Sequence, residues 1–276
     1  MGKNIIHSIL YGLISGFSEF LPVSLPAHQY LYAFFTGFSD SSAFLKLMVY
    51  IGCLAALLVS CRTSLIHMRR ENRIASVAKN KRKRVPDMVA VLNFRLLLVG
   101  MIPLFLLLLF SGIFMRNFGK LTWIAGMLTI SGFLVYMPVF FPVGNRDSQN
   151  MGPLDGLLLG LCSGLSVIPG ISGMGAIMCA GRSRGCSRTY ILEVALLFTI
   201  PVLAGLIFGY IILVVSAGAI ELNVLISGLI AAVSAFGGGV AGIYLMRYLA
   251  VKLDFHAFSY YCWGLAAFCL IYYLII

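Results

Sequence analysis

Two stretches of this chain resemble each other: Gly12–Ser24 reads GLISGFSEFLPVS and Gly160–Ser172 reads GLCSGLSVIPGIS. They are 148 residues apart without a gap, and six of the 13 paired positions are identical. Both are apolar, rich in Gly and Ser, and contain a proline, which removes a backbone donor and interrupts a helix. We interpret them as an internal repeat of a broken helix. The alternative is two independent helix-packing faces, because small residues also recur there.

The composition excludes an ordinary water-soluble domain. Hydrophobic residues make up 61% of the chain, charged residues 11%, and the mean hydropathy is +0.99. A soluble domain carries about 25% charged residues. The seven cysteines show no C-x-x-C spacing and mostly lie in apolar stretches, which indicates packing residues rather than a metal site or a disulfide framework.

Hydropathy predicts an all-α integral membrane protein that forms a single membrane domain over residues 1–276. A spanning helix needs about 20 mostly apolar residues. Two shorter apolar stretches, about 5–38 and 154–180, are interrupted at Leu21–His28 and Pro169–Gly175. We expect these to form two re-entrant helix hairpins, within a first repeat at about 5–61 and a second at about 154–213. The six predicted spans are Ala43–Cys61, Phe94–Phe114, Leu121–Phe141, Tyr190–Val215, Leu222–Tyr244 and Phe258–Ile276.

The charge distribution predicts the orientation in the membrane. Half of the 20 Lys and Arg residues lie between Arg62 and Arg95, so the loop at 62–93 is expected to be cytoplasmic. The net charge of +11 therefore indicates topology, and we expect no nucleic-acid partner. The Lys81–Arg84 run could also bind anionic lipid headgroups. Following the spans outward places the two hairpins in opposite orientations, with both termini outside. This is an inverted repeat, in which broken helices meet near the membrane midplane.

Two acidic residues, Glu19 and Glu193, lie well inside apolar stretches. A carboxylate there is costly unless it faces a cavity or a partner, so it predicts function by default. Glu193 could instead pair with nearby Arg188. His28 follows Glu19 across the Leu21-Pro22 break, and a bend can bring the two together. A lone histidine at a helix break is also often a hydrogen-bonded structural group.

Serines beside the two breaks complete a candidate catalytic set. Glu19, His28 and the hydroxyls of Ser24 and Ser172 supply the groups for acid–base work on a phosphoryl group. The segment Pro169–Gly175, PGISGMG, leaves N–H groups free at a helix start, where anions bind. The same glycines could only form a tight turn.

Ordered motifs resemble the bacterial undecaprenyl-diphosphate phosphatase family of the bacitracin-resistance type. Glu19–Ser24, EFLPVS, followed by His28 is similar to its first signature, E-G-x-T-E-F-L-P-V-S-S-T-G-H. Pro169–Ser172, PGIS, followed by Gly175 is similar to the second, P-G-x-S-R-S-G. Order and spacing agree along nearly the whole chain. Further agreement is found at Gly100–Pro103, Gly185–Arg188, Glu193 and Pro201.

The resemblance implies a membrane enzyme that hydrolyses undecaprenyl diphosphate to the monophosphate and so recycles the lipid carrier of the cell wall. It implies a location in the bacterial plasma membrane and a divalent cation, Mg²⁺ or Ca²⁺, for which Glu19 is the candidate ligand. It further implies catalytic roles for Glu19, Ser24, His28 and Ser172. Gly170, Gly173 and Gly175 are the candidate phosphate-binding residues.

Several family positions are altered in this chain. The missing arginine matters most, because a guanidinium clamps phosphate oxygens and stabilises the charge that develops in transfer. The alternative function is therefore a catalytically impaired member that binds or translocates a polyprenyl phosphate or another amphiphile. The altered positions are Ser15 for glutamate, Leu25 for serine, Pro26-Ala27 for Thr-Gly, Gly173 for arginine and Met174 for serine.

Overall fold

The computed structural model describes residues 2–38, 42–110, 112, 120–142, 144–218, 221–252 and 255–275. Over these ranges the chain forms eleven α-helices and no β-sheet, and six helices are long and apolar enough to cross a membrane. The predicted fold class, an all-α multi-pass integral membrane protein, is confirmed. All seven cysteines are free thiols and six are buried, as expected for packing residues.

The helices follow one another in this order: α1 Gly2–Phe20, α2 Leu25–Thr36, α3 Ala43–Ser60, α4 Arg62–Ser76, α5 Met88–Leu109, α6 Leu121–Tyr136, α7 Pro153–Gly164, α8 Gly173–Ser183, α9 Arg188–Ala217, α10 Leu222–Lys252 and α11 Ala257–Ile275.

Several helix boundaries differ from the predicted spans, the largest difference being that α10 continues to Lys252, eight residues beyond the predicted Tyr244. The helix α5 begins at Met88, six residues before the predicted span, because the Asp87 side chain caps it by accepting from the Val89 N–H. The basic stretch at 62–93, predicted as a loop, contains the amphipathic helix α4, whose Met68 and Glu71 are buried. Hydropathy finds apolar spans and therefore does not detect a charged helix that packs through a few residues.

The helices that precede the two breaks pack in equivalent ways, each against a different spanning helix. The helix α1, which precedes the first break, packs along α10, and α7, which precedes the second, packs along α5. Each contact is close because it uses glycine. A Cβ on Gly16 would lie 2.1 Å from the Ala235 oxygen, and one on Gly160 would lie 2.0 Å from the Gly100 oxygen. The repeated glycines therefore serve helix packing, while the boundaries of the two repeats stay predictions.

Candidate functional site

The two helix breaks touch each other. The first break, Leu21–Ser24, joins α1 to α2, and the second, Ile168–Ser172, joins a short 3₁₀ turn at Leu165–Val167 to α8. The Gly170 N–H donates to Ser24 Oγ over 3.0 Å. Gly170 has a φ of +103°, a conformation that favours glycine. The sequence predicted that the breaks meet, and this hydrogen bond joins them.

The hydroxyls of Ser24 and Ser172 act as helix caps. Each serine is the N-cap of the helix that follows its break, and each is about 1% exposed. Ser24 Oγ accepts from the Ala27 N–H as well as from Gly170, and Ser172 Oγ accepts from the Gly175 N–H over 3.1 Å. Both oxygens, proposed for phosphate chemistry, therefore already hold the backbone in place.

Ser131 on α6 holds the second break through two hydrogen bonds, and it was not among the predicted site residues. Its hydroxyl donates to the Gly170 carbonyl over 2.7 Å and accepts from the Ser172 N–H over 2.8 Å. The residue is fully buried. A serine inside an apolar span was the signal available, but its partners lie 39 and 41 positions away in the chain.

Glu19 faces a small internal cavity between the two breaks. The cavity measures about 30 Å³, and a water molecule needs roughly 10–15 Å³ measured in this way. Within the described part of the chain, the Glu19 carboxylate has no hydrogen-bond or ion-pair partner. The polar residues that line the cavity are Glu19, Tyr50, Ser163, Ser166 and Thr199. The two breaks line it through Val23 and Ile171, and the helix starts that follow them line it through Leu25, Pro26, Gly173 and Met174.

Two residues that line this cavity, at the start of α8, have N–H groups without an acceptor among the described residues. Four N–H groups at a helix start have no acceptor within the helix. In α8, the Ser172 N–H is bonded to Ser131 and the Gly175 N–H to Ser172 Oγ. The N–H groups of Gly173 and Met174 remain, and both residues line the cavity. Of the three predicted phosphate-binding glycines, only Gly173 lines the Glu19 cavity, and the N–H groups of Gly170 and Gly175 are bonded to serine hydroxyls.

His28 lies elsewhere, so the expected Glu19–His28 pair does not share a cavity. His28 lines a separate, open groove of about 510 Å³ between α1, α2 and α11. Its Nδ1 lies 2.7 Å from the Ser24 carbonyl oxygen, and its Nε2 lies 2.7 Å from the Tyr261 hydroxyl. Since a carbonyl only accepts, Nδ1 carries the proton and the neutral ring accepts from Tyr261. The bend at Pro22 thus turns His28 to the side of α2 away from Glu19.

The altered positions fall into two groups. Leu25, Pro26, Gly173 and Met174 line the Glu19 cavity, so these changes replace polar groups there with apolar or missing side chains, whereas Ala27 is not part of the lining. Ser15 is buried outside that lining, and its hydroxyl accepts from Gln29 Nε2 over 3.3 Å. Where the resemblance implies a carboxylate, the structure therefore has a neutral serine–glutamine pair.

No arginine, lysine or histidine of the described residues lines the Glu19 cavity. Arg182 and Arg188 line a different pocket with His256, on the other side of the breaks. Glu193 receives two hydrogen bonds, of 2.7 and 3.0 Å, from the Arg247 guanidinium on α10. The structure therefore gives Glu193 the partner Arg247, whereas the sequence had suggested Arg188.

The donor set bears on the expected divalent cation. Among the described residues no three His, Cys, Asp or Glu side chains lie together as a metal site, and Glu19 is the only carboxylate of the cavity. Mg²⁺ in phosphoryl-transfer sites is held by one or two carboxylates together with substrate phosphates. Glu19 with the hydroxyls of Ser163, Ser166 and Thr199 therefore fits a cation that is also held by a bound diphosphate.

Comparison with known proteins identifies the family. The family model described as "Bacitracin resistance protein BacA" matches residues 8–268. An "Undecaprenyl-diphosphatase" of Syntrophotalea carbinolica is 26% identical over 260 residues, which covers 94% of this chain and 95% of the relative. One of Alkaliphilus metalliredigens is 27% identical over 271 residues, covering 96% and 97%. An "Undecaprenyl-diphosphatase 3" of Bacillus cereus is 27% identical over 265 residues, covering 95% of each chain. This chain, whose broken helices enclose the Glu19 cavity, belongs to the BacA family of bacitracin resistance proteins.

Proposed function

We propose that this protein hydrolyses a polyprenyl diphosphate, with undecaprenyl diphosphate as the natural substrate, and releases inorganic phosphate. The observation that carries the proposal is the unpartnered Glu19 carboxylate, which faces a water-sized cavity at the junction of the two breaks. Support also comes from the relatives named undecaprenyl-diphosphatase, which match along nearly their whole length.

The chemistry assigned to this cavity is water attack on the terminal phosphorus. Glu19 takes a proton from the water while the water oxygen bonds to phosphorus, and the bond from phosphorus to the bridging oxygen breaks. The lipid monophosphate keeps the bridging oxygen. The N–H groups of Gly173 and Met174 stabilise the phosphoryl oxygens, since a helix start favours negative charge. A bound Mg²⁺ or Ca²⁺ would supply neutralisation of the diphosphate charge.

We further propose the bacterial plasma membrane as the location, with the basic segment at 62–93 in the cytoplasm and both termini outside. Support comes from the concentration of half of the basic residues between Arg62 and Arg95. Reaction of single introduced cysteines with an impermeant reagent in a variant without native cysteines tests this orientation. Labelling at position 80 of intact spheroplasts would contradict it.

A second candidate is a family member that binds or translocates a polyprenyl phosphate without hydrolysing it. The observation in its favour is that the cavity lining, within the described residues, contains no arginine, lysine or histidine side chain. Loss of one electrostatic donor of the transition state costs about 10²–10³ in rate. Binding is less sensitive, because helix-start N–H groups alone hold phosphate.

One assay separates the two functions. Purified protein in detergent is given farnesyl diphosphate with Mg²⁺ or Ca²⁺, and inorganic phosphate is measured. For the enzyme, Glu19→Gln lowers release by about 10²-fold or more, as expected for loss of a general base. The matched control is Glu221→Gln, which makes the same change at an exposed carboxylate at the start of α10 and leaves the rate unchanged.

Two results would decide against hydrolysis through Glu19. Equal release by the wild type and Glu19→Gln removes the carboxylate from the mechanism. A wild type that releases no phosphate but binds farnesyl monophosphate supports the second candidate instead.

A further inference from the structure

The hydroxyl of Ser166 is buried and has no hydrogen-bond partner among the described residues. Ser166 lies in the 3₁₀ turn at Leu165–Val167, just before the second break, and lines the same cavity as Glu19. Most buried hydroxyls in proteins are paired, and one that is not is explained by a water or a ligand that it binds. This residue was not among those singled out from the sequence.

Two other hydroxyls of the cavity are already engaged with the backbone. Ser163 Oγ donates to the Phe198 carbonyl over 3.5 Å, and Thr199 Oγ1 donates to the Ala195 carbonyl over 2.9 Å. A hydroxyl has a single hydrogen to donate. Ser166 therefore keeps its hydrogen available for a group inside the cavity, whereas Ser163 and Thr199 do not.

The position of Ser166 places it against the start of α8. A Cβ built on Gly173 would lie 2.6 Å from the Ser166 Cβ and 3.3 Å from its Oγ. The hydroxyl thus lies beside Gly173, the first residue of α8. Ser166, Gly173 and Met174 all line the cavity, so their residues supply one hydroxyl and two N–H groups, and all three kinds of donor suit an anionic oxygen.

We infer that Ser166 is a substrate-contacting residue whose hydroxyl donates a hydrogen bond to a phosphoryl oxygen of the lipid. The ligand class is an isoprenyl phosphate or diphosphate, and this inference rests on the proposed function of the Glu19 cavity. Neutral hydrogen-bond donors beside Gly173 explain how a cavity that no arginine, lysine or histidine of the described residues lines can hold a phosphate group. The hydroxyl takes no part as a nucleophile, and its proton stays on the oxygen.

The test compares Ser166→Ala with Ser18→Ala. Ser18 is the counterpart of Ser166 in the sequence repeat, but its hydroxyl donates to the Ser15 carbonyl and it lines the groove of His28. Both variants are checked for wild-type thermal unfolding. Binding of farnesyl monophosphate, inorganic phosphate and farnesol is then measured on the protein in lipid nanodiscs, and kcat and KM are measured with farnesyl diphosphate.

Ser166→Ala is expected to weaken farnesyl monophosphate binding about tenfold, as for a lost hydrogen bond to a charged group, and to leave farnesol binding unchanged. It is also expected to lower kcat/KM, and Ser18→Ala to change neither. Inorganic phosphate reports whether the site holds phosphate without the lipid chain.

Unchanged monophosphate affinity in Ser166→Ala, or an equal loss in Ser18→Ala, overturns the inference. So does a wild type that binds farnesyl monophosphate no better than farnesol. A wild type that binds the monophosphate but does not hydrolyse the diphosphate contradicts the proposed hydrolysis alone, and the binding comparison then still decides on Ser166.

Discussion

The Gly170 N–H donates to Ser24 Oγ over 3.0 Å, so a hydrogen bond between residues 146 positions apart joins the two helix breaks. Both residues are buried. The same oxygen caps α2, so one hydroxyl holds the start of a helix and the contact between the breaks. The Glu19 cavity, which has walls from both breaks, depends on this contact for its shape.

Ser24→Ala is therefore expected to lower the free energy of unfolding by more than the loss of a helix cap alone would. An uncapped helix start costs about 1 kcal/mol, and a buried N–H left without an acceptor costs a further 1–3 kcal/mol or so. Ser42→Ala is the matched control, because Ser42 caps α3 through the Leu45 N–H and its hydroxyl makes no other hydrogen bond among the described residues. Thermal unfolding in detergent measures both. An equal loss of stability in the two variants would show that the Gly170 contact contributes nothing.

Local sequence signals predicted the fold and part of the site. Long apolar segments predicted the spans, and Pro22 and Pro169 marked the two breaks, although Pro103 and Pro201 lie inside continuous helices and mark none. Glu19 was readable because a carboxylate inside an apolar stretch needs a cavity or a partner.

The remaining contacts depend on tertiary packing. The Glu193–Arg247 pair spans 54 positions and the Ser131–Gly170 bond spans 39, and no local pattern encodes either. The direction in which His28 leaves the bend depends on backbone geometry, and spacing along the chain does not give it. Ser166 was not predicted as a site residue, because its proposed contact with a phosphate depends on its position beside Gly173 in the folded protein.

His28 holds α2 to α11 in this structure, and its substitution is expected to act through that contact. His28→Phe removes the hydrogen bonds to the Ser24 carbonyl and to Tyr261. Tyr261→Phe removes only the second. If His28 is a positioning residue, both variants lower thermal stability and both lower kcat modestly. A loss of about 10²-fold in kcat for His28→Phe, with Tyr261→Phe at the wild-type rate, would instead indicate acid–base catalysis by His28.

The ion pair between Glu193 and Arg247 links α9 to α10, and Arg247 also donates to the Ser60 carbonyl at the end of α3. The two side chains are 41% and 35% exposed, so the pair is expected to contribute up to about 1 kcal/mol. Glu193→Gln and Arg247→Gln should each lower the thermal midpoint and leave phosphate release close to the wild-type rate.

The double variant is the control for that prediction. Because the two side chains interact directly, Glu193→Gln with Arg247→Gln should be less destabilised than the sum of the single variants. Additive losses of stability, or a loss of hydrolysis specific to Glu193→Gln, would contradict a purely structural pair.

The basic segment outside the spans is held by Glu71. Its carboxylate accepts two hydrogen bonds from the Arg84 guanidinium, of 2.5 and 2.9 Å, and one of 2.9 Å from the Asp87 N–H. These bonds, with Arg84 the larger cause, lower the pKa of Glu71 to about 2. A lowered pKa in the folded state gives stability that is present above the unfolded value of 4.5 and is lost as the pH falls towards about 2.

Hydrogen exchange over residues 77–87, corrected for the intrinsic pH dependence, measures this effect. Protection in the wild type should fall between about pH 5 and about pH 2, and Glu71→Gln should be less protected at the higher pH with little further change. Glu221→Gln, which alters an exposed carboxylate elsewhere, should behave as the wild type. Protection of the segment that is independent of both pH and Glu71 would contradict the assignment.

The family resemblance implies an arginine at position 173. Gly173→Arg is expected to destabilise the protein unless Ser166 is also replaced by a smaller residue. A Cβ at Gly173 would lie 2.6 Å from the Ser166 Cβ and 3.1 Å from the Ser163 carbonyl oxygen. Overpacking of this kind costs about 1–3 kcal/mol. Gly173→Ala should show the same loss of stability without the charge, and Ser166→Gly should relieve it in both variants.

The rate of hydrolysis distinguishes the effect of the arginine charge from the effect of the added side-chain volume. In Gly173→Arg with Ser166→Gly, a guanidinium enters the cavity that holds Glu19, and hydrolysis should rise by about 10²-fold or more over Gly173→Ala with Ser166→Gly, as for a regained electrostatic donor. Gly173→Arg alone should show no such gain. If it is as stable and as active as the double variant, Ser166 does not occupy the space that an arginine side chain requires, and the cavity is wider than this structure shows.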